Sequence, residues 1–262
     1  MDVIREAAVA GEFYPGTAGE LSATVEQYLN EAQAEPGPQP KALIVPHAGY
    51  VYSGPVAASA YAALGPYRDR ISRVILLGPC HRVPVRGLAL SSADVFRTPL
   101  GDVPLDKEGI ASLHGPGIEV FDDTHTFEHS LEVHLPFLQM LLDKFTLVPL
   151  VVGHAGAESV ANLLEALWGG PETLIVISSD LSHYLNYTDA KERDQTTCRA
   201  IERLDASSIG PNDACGCYPI RGLLELAKRR RMRVETLDLR NSADTAGAMR
   251  QVVGYGSWIF TE

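Results

Sequence analysis

Long apolar runs are missing from this 262-residue sequence. No stretch approaches the roughly 20 consecutive apolar residues that a membrane-spanning helix needs, and the start, MDVIREAAVAGEF, carries no secretory apolar core. Membrane spanning is therefore not expected. Cysteine is sparse too. Cys80, Cys198, Cys215 and Cys217 are too few for a disulfide scaffold, and Cys215-Gly-Cys217 is too tightly spaced to pair easily. A reduced, cytoplasmic protein is the expectation. Basic charge is in deficit, with 22 Lys and Arg against 33 Asp and Glu, a formal charge of −11. So acidic a surface repels phosphate backbones, which argues against nucleic acid as a partner. The run Lys228-Arg-Arg-Arg231 with Arg233 reads as the solvated end of a helix, where cations complement the dipole. Also absent are GxGxxG, GxxxxGK[ST] and GxSxG, so no motif supports dinucleotide, P-loop or α/β-hydrolase chemistry.

What remains is an ordinary globular mix, 45% hydrophobic and 21% charged, without repeats or low-complexity blocks. Thr17 followed by Glu20 has the form of a capping box, and Leu21, Val25 and Leu29 continue at helical spacing. The stretch Glu35-Pro-Gly-Pro-Gln-Pro40 is too proline-rich to prolong that helix. Short apolar runs at 42–45, 74–77, 147–152 and 174–177 then recur, bounded by Gly, Pro or Ser. They do not alternate with polar residues, which is how strands covered on both faces read. Helical patterns fill the intervals at 55–64, 130–142, 157–167, 190–204 and 220–228, and two more strands are expected at 234–239 and 252–260. Strands alternating with helices predict one α/β domain over 1–262, with a largely parallel central sheet flanked by helices.

Three of these strands lead into histidines. Leu43-Ile-Val-Pro-His47 does so directly, Val74-Ile-Leu-Leu-Gly-Pro-Cys-His81 after a short turn, and Leu174-Ile-Val-Ile-Ser-Ser-Asp180-Leu-Ser-His183 adds an aspartate. In an open α/β sheet the carboxyl ends of parallel strands gather along one edge, where ligands bind. A single histidine after a strand is an ordinary loop residue; three at equivalent ends point to a shared site. Neutral imidazoles ligate iron, copper or zinc, and two histidines with a carboxylate suit non-haem Fe(II). The same groups also suit a metal-free acid/base site.

The segment Phe127-Glu-His-Ser-Leu-Glu-Val-His134 is dense in ligating residues but is not HExxH. On a helix His129 and Glu132 share a face, whereas His134 sits about 140° round from His129. Such a helix offers Glu128, His129 and Glu132 to one site but hardly both histidines, and Glu128 is equally at home at a helix N-terminus. His114, His125 and His154 lie in Gly- or Asp-rich loops and are expected to be exposed. Cys215 and Cys217 lack a second CxC or CxxC partner, so no structural zinc site is expected.

With these residues in view, the sequence resembles the Memo family, whose bacterial and archaeal members are called AmmeMemoRadiSam system protein B. The likeness spans nearly the whole chain: Gly11-Glu-Phe-Tyr-Pro-Gly16, Val45-Pro-His-Ala-Gly-Tyr50, Leu77-Gly-Pro-Cys-His81, Phe96-Arg-Thr-Pro-Leu100, Glu128-His-Ser-Leu-Glu-Val-His-Leu-Pro136, Ser178-Ser-Asp-Leu-Ser-His183 and Val253-Gly-Tyr255. That family is structurally similar to class III extradiol dioxygenases, Fe(II) enzymes that cleave catechol rings. The resemblance implies His47 and His81 as metal ligands and His183 as acid/base beside Asp180; His129 joins these as a candidate catalytic residue. Animal members carry a cysteine near the C-terminus, and counting back ten residues from Tyr255 lands on Thr245, a poor ligand. The adjacent Asp244 then supplies the carboxylate of a two-histidine-one-carboxylate set.

The expected cofactor is a divalent metal, Fe(II) first and copper second, in a pocket of redox or oxidoreductase type. Family members described as adaptors that bind phosphotyrosine motifs give the alternative, a non-catalytic module holding a peptide or small anion. A small-molecule substrate or peptide in the cleft is the expected partner. The prokaryotic family name implies association with an AMMECR-type protein and a radical SAM enzyme. A metal-independent hydrolase using Ser179 or Ser182 with His183 has no nucleophile elbow to support it.

Overall fold

The computed structural model describes residues 2–32 and 37–262. Glu35 and Pro36 of the proline-rich stretch lie outside the described residues. The chain forms β1 (Ile4–Arg5), β2 (Ala42–Val45), β3 (Arg73–Pro79), β4 (Leu88–Leu90), β5 (Val95–Thr98), β6 (Gly101–Pro104), β7 (Ile118–Val120), β8 (Thr146–Val152), β9 (Thr173–Ser178), β10 (His183–Leu185), β11 (Arg233–Asn241) and β12 (Val252–Thr261). A nine-stranded sheet runs β10-β12-β2-β9-β3-β8-β4-β7, with β11 also paired to β12, and β1, β5 and β6 make a small separate sheet.

The centre of the large sheet, β2-β9-β3-β8, is parallel. Alternate residues along these strands face two separate cores, which is why the runs carry no polar positions. Ile44, Ile75, Leu77, Val148, Leu150, Ile175 and Ile177 pack toward the helices Ala157–Ala166, Tyr187–Glu202 and Cys217–Arg230. Leu43, Val45, Val74, Leu76, Leu147, Leu174 and Val176 pack toward the helices Ala18–Glu31, Tyr50–Ala62 and Leu135–Leu141. Each such side chain contributes about 1.5–3 kcal/mol when removed from water.

The outer strands correct the expectation of a largely parallel sheet. β12 joins β2 antiparallel, β10 and β11 join β12 antiparallel, and β4 joins β8 antiparallel, so the sheet is mixed. The physical cause is connection length: β11 and β12 follow each other with too short an intervening segment for a parallel crossover. The first helix begins as predicted, with the Thr17 side chain accepting from the Glu20 N–H. The basic run ends the helix Cys217–Arg230, where Arg230 pairs with Glu165 (2.5 Å) and Glu262 (3.5 Å).

A second correction concerns the helix expected over 130–142. The segment is instead a short 3₁₀ turn, Glu132–His134, leading into an α-helix, Leu135–Leu141. Pro136 explains the break, because it lacks an N–H and is tolerated only in the first turn of a helix. The turn sends Glu132 one way and His129 another. Glu132 is fully buried and its carboxylate accepts from Arg5 Nη1, the Ala8 and Val9 N–H groups (2.8 and 3.0 Å) and the Tyr14 hydroxyl. It thus fastens the N-terminal segment to the 128–134 segment rather than serving a site.

Because Arg5 is buried with it, removing the charge of Glu132 strands a cation in the interior. Glu132→Gln is expected to lower stability by about 3–5 kcal/mol. Urea unfolding of the variant checks this, and a midpoint equal to that of the unmodified chain refutes it.

Candidate metal centre

β9 enters the sheet between β2 and β3, so the ends of three parallel strands stand side by side, with Val45 opposite Ser178. His47 lies two residues past β2, His81 two past β3 and Asp180 two past β9. The loop Glu128–Ser130 lies across these ends. It approaches β3 so closely that a Cβ on Gly78 would stand 2.7 Å from Ser130 Oγ and 2.8 Å from Leu131 Cδ2. Only glycine permits that contact.

His47, His81 and His129 each present a ring nitrogen within 4.8 Å of the others. Their ring centroids are 5.1 Å (His47–His81), 5.5 Å (His47–His129) and 4.7 Å (His81–His129) apart. His47 is buried, His129 half-buried, and His81 the most open of the three. Phe13 covers His129 from the N-terminal segment at 4.7 Å.

The hydrogen bonds fix which nitrogens are free. The Glu128 carboxylate accepts from His81 N–H (2.6 Å), His81 Nδ1 (2.8 Å), and the N–H groups of His129 and Ser130 (both 2.9 Å). His81 Nδ1 therefore carries the proton and its Nε2 keeps a lone pair. This is the carboxylate–histidine pairing typical of ligating imidazoles. His129 Nδ1 is buried without any hydrogen-bond partner. Burial raises the Glu128 carboxyl, but the hydrogen bonds it accepts from His81 and Ser130 outweigh it and hold the group at about 2. Burial also keeps His47 and His129 neutral. It pushes His129 down to about 4 and His47 well below the ordinary histidine value.

Asp180 takes the His47 N–H on Oδ1 (2.8 Å), and its Oδ2 lies 4.0 Å from His47 Nε2. Burial pushes its carboxyl above the usual carboxylate range. His183 is exposed, and its Nδ1–H donates to the Leu181 carbonyl (2.8 Å). The expected support of His183 by Asp180 is thus replaced by a backbone carbonyl. His183 itself pairs with Val253, and the irregular register between His183 and Leu185 leaves Tyr184, at φ +59°, as the bulged residue beside it.

Asp244 is not brought to the imidazoles, which corrects its assignment as third ligand. Its Oδ2 accepts the Asn241 N–H (2.9 Å) in a capping box, and its Oδ1 accepts the Tyr187 hydroxyl (2.8 Å). The carboxylate is consumed at a helix start. The third member of the histidine cluster is His129. Cys215, set aside in the sequence for want of a cysteine partner, lies with Sγ 3.4 Å from His47 Nε2 and accepts the Asp180 N–H (3.2 Å). Its loop reaches β9 because Gly216 has no side chain; a Cβ there would be 2.6 Å from Ser178 O and Ser179 Cβ. The histidine it meets, His47, is on another segment, which spacing along the chain does not reveal.

His125 is a further correction. It is buried at 2% exposure, its Nε2–H donating to the Ala89 carbonyl (3.1 Å), while His114 and His154 are exposed as expected. The serine–histidine reading finds no support: the Ser179 hydroxyl donates to the Asp180 carbonyl (2.7 Å) and His183 Nδ1 is engaged elsewhere.

The fold and site together define an α/β protein with a three-histidine cluster of metal-ligand spacing at the carboxyl edge of a mixed sheet. The family described as Memo-like protein matches residues 5–259, and the chain belongs to that family. It is 37% identical to a MEMO1 family protein of Aeropyrum pernix, over 96% of this chain and 98% of the relative. It is 35% identical to a MEMO1 family protein of Aquifex aeolicus, over 98% and 99%. It is also 36% identical to Protein MEMO1 of Danio rerio, over 85% and 84%. Among the described residues no helix is long and apolar enough to cross a membrane.

The buried histidines make the metal-free chain acid-sensitive. His125 and His129 titrate at about 4 and His134 at about 3 in the fold, against 6.5 in the unfolded chain. As pH falls below 6.5 the unfolded chain takes up their protons first, so their contribution to stability is lost from about 6.5 down to about 4 for His125 and His129 and about 3 for His134. Glu128 adds a second loss from about 4.5 toward 2. Each tenfold difference in proton affinity between the two states is worth about 1.4 kcal/mol, so the decline is on the order of a few kcal/mol for each of these histidines. Urea midpoints from pH 7 to 4 are expected to fall, and a flat profile refutes the neutral, buried state of these rings.

Proposed function

We propose that this protein holds a redox-active divalent metal between His47, His81 and His129 and acts on a small substrate in the cleft above them, as an oxidoreductase-type member of its family. The single observation that carries this reading is the convergence of three imidazoles, from three separate segments, at ligand spacing. The donor set fits a metal. His81 keeps a lone pair because Glu128 takes its other nitrogen, and His129 Nδ1 is buried without a hydrogen bond, 3.4 Å from Glu128 Oε1. Imidazoles of this kind suit Fe(II), and Cys215 beside His47 adds a soft donor that admits copper.

When bound, the metal supplies Lewis-acid and electron-transfer chemistry. The chain's own residues do the rest. Glu128 orients His81 and carries negative charge next to the cluster, which favours a cation there. His183, exposed at the bulge and held through Nδ1–H, leaves Nε2 to exchange a proton with a substrate group. Asp180 secures the backbone at His47 and lies buried beneath this edge. A dioxygenase-like arrangement is the finer form of this proposal.

A second reading has its own observation. Tyr52, Phe127 and Tyr184 are 40%, 68% and 70% exposed, and each is close in sequence to a site residue. Exposed aromatics of this kind favour capture of a peptide or anion without chemistry. Protein purified without chelator, then titrated anaerobically with Fe(II), Cu and Zn, separates the two. One bound metal per chain is expected, with at least tenfold weaker binding (about 1.4 kcal/mol) in His47→Ala, His81→Ala and His129→Ala. Asp244→Asn is expected to bind as the unmodified chain does. Failure of all three metals to reach one equivalent overturns the metal reading in favour of the binding module.

A further inference from the structure

Behind His47 lies a buried polar chain that the metal reading does not use. Ser178, fully buried at the end of β9, meets three groups through one hydroxyl oxygen: His47 Nδ1 (2.6 Å), His134 Nε2 (2.8 Å) and the Ser130 carbonyl (2.6 Å). On its far side His134 meets the Tyr61 hydroxyl through Nδ1 (3.0 Å). Both His134 and Tyr61 are buried.

Proton counting gives this chain one solution. A hydroxyl has one hydrogen and two lone pairs, and a carbonyl only accepts. The Ser178 hydrogen must therefore go to the Ser130 carbonyl. Both ring nitrogens then face lone pairs and must be N–H donors. His47 is protonated on Nδ1, which leaves its Nε2 lone pair for the side that faces the other imidazoles. His134 is protonated on Nε2, so its Nδ1 accepts from Tyr61. No polar atom of the chain is left over, as burial requires. In a free histidine side chain the proton rests mainly on Nε2, the opposite of what His47 needs as a ligand through that atom.

We infer that Ser178 is a positioning residue that holds His47 in the Nδ1–H tautomer, with Ser130, His134 and Tyr61 fixing the direction of its hydroxyl. The inference rests on the metal reading for its purpose, since a ligand through Nε2 needs that lone pair, but not for its geometry. The Ser130 hydroxyl, in turn, donates to the Pro79 carbonyl just before Cys80 and His81 (2.8 Å). The same loop residue thus ties together the ends of β3, which leads to His81, and β9, whose Ser178 meets His47.

The test is a long-range ¹H–¹⁵N correlation spectrum of the full, metal-free chain labelled at histidine, with His47 and His134 assigned by their loss in His47→Asn and His134→Asn. Opposite tautomers are expected, Nδ1–H at His47 and Nε2–H at His134. Ser178→Ala is expected to lower the Nδ1–H to Nε2–H ratio at His47 at least tenfold, and Ser178→Thr, which keeps the hydroxyl, to restore it. Nε2–H at His47 in the unmodified chain overturns the inference, and needs no variant to fold. So does an unchanged ratio in folded Ser178→Ala. A chain that shows both expected tautomers but takes up no metal overturns the metal reading and leaves this one standing. Metal uptake with Nε2–H at His47 does the reverse.

Discussion

The docking of the Glu128–Ser130 loop onto the carboxyl ends of β3 and β9 is the constraint on which the site depends. Glu128 binds the backbone and ring of His81, Ser130 bridges the Pro79 carbonyl and the Ser178 hydroxyl, and His129 rides between them. Three imidazoles that belong to separate segments are held at ligand distance by hydrogen bonds from one short loop. That loop is itself anchored from behind, where buried Glu132 gathers Arg5, Ala8, Val9 and Tyr14. The N-terminal segment, far from the strand ends in sequence, is therefore part of what keeps the histidines together.

Burial sets the chemistry of this edge. A dry environment disfavours charge, so His47, His129 and His134 remain neutral and Asp180 is pushed toward its protonated form. Glu128 is the exception, because four N–H donors converge on it and keep it ionised. One fixed anion behind a group of neutral ring nitrogens is an environment suited to a cation. His183, beside the bulge at Tyr184, stands apart from this, exposed to solvent. The edge thus divides into a dry, hydrogen-bonded side and an open side that presents His183; under the proposed function the first would hold the metal and the second would meet the substrate.

Membership of the Memo family, shared with archaeal, bacterial and animal proteins over most of their length, fits so dispersed a set of site residues. The residues that converge come from the Val45–Tyr50, Leu77–His81, Glu128–Pro136 and Ser178–His183 segments, so the whole fold is needed to assemble them. A part of this chain would carry the histidines without the geometry.

From the amino-acid order alone, the four parallel strands, most of the helices and the places of His47 and His81 could be read. Those features are local. Continuous apolar runs report burial on both faces, and a histidine two residues past such a run must lie at a strand end. The third member of the cluster was not legible in this way. Asp244 stood next to the position counted from Tyr255, but a capping box consumes it, and that depends on the Asn241 backbone and on Tyr187 reaching across from another helix. His129 looked like a residue on a helix face until Pro136 delayed the helix and left 128–131 free to lie over β3. Cys215 lacked a neighbour of its own kind because it meets the imidazole of His47, from a distant segment. Sequence periodicity tells which way a residue faces within its own element. Which side chains meet across elements is decided by strand order, by close backbone approaches at Gly78 and Gly216, and by where buried polar groups find their partners, and those belong to the tertiary structure.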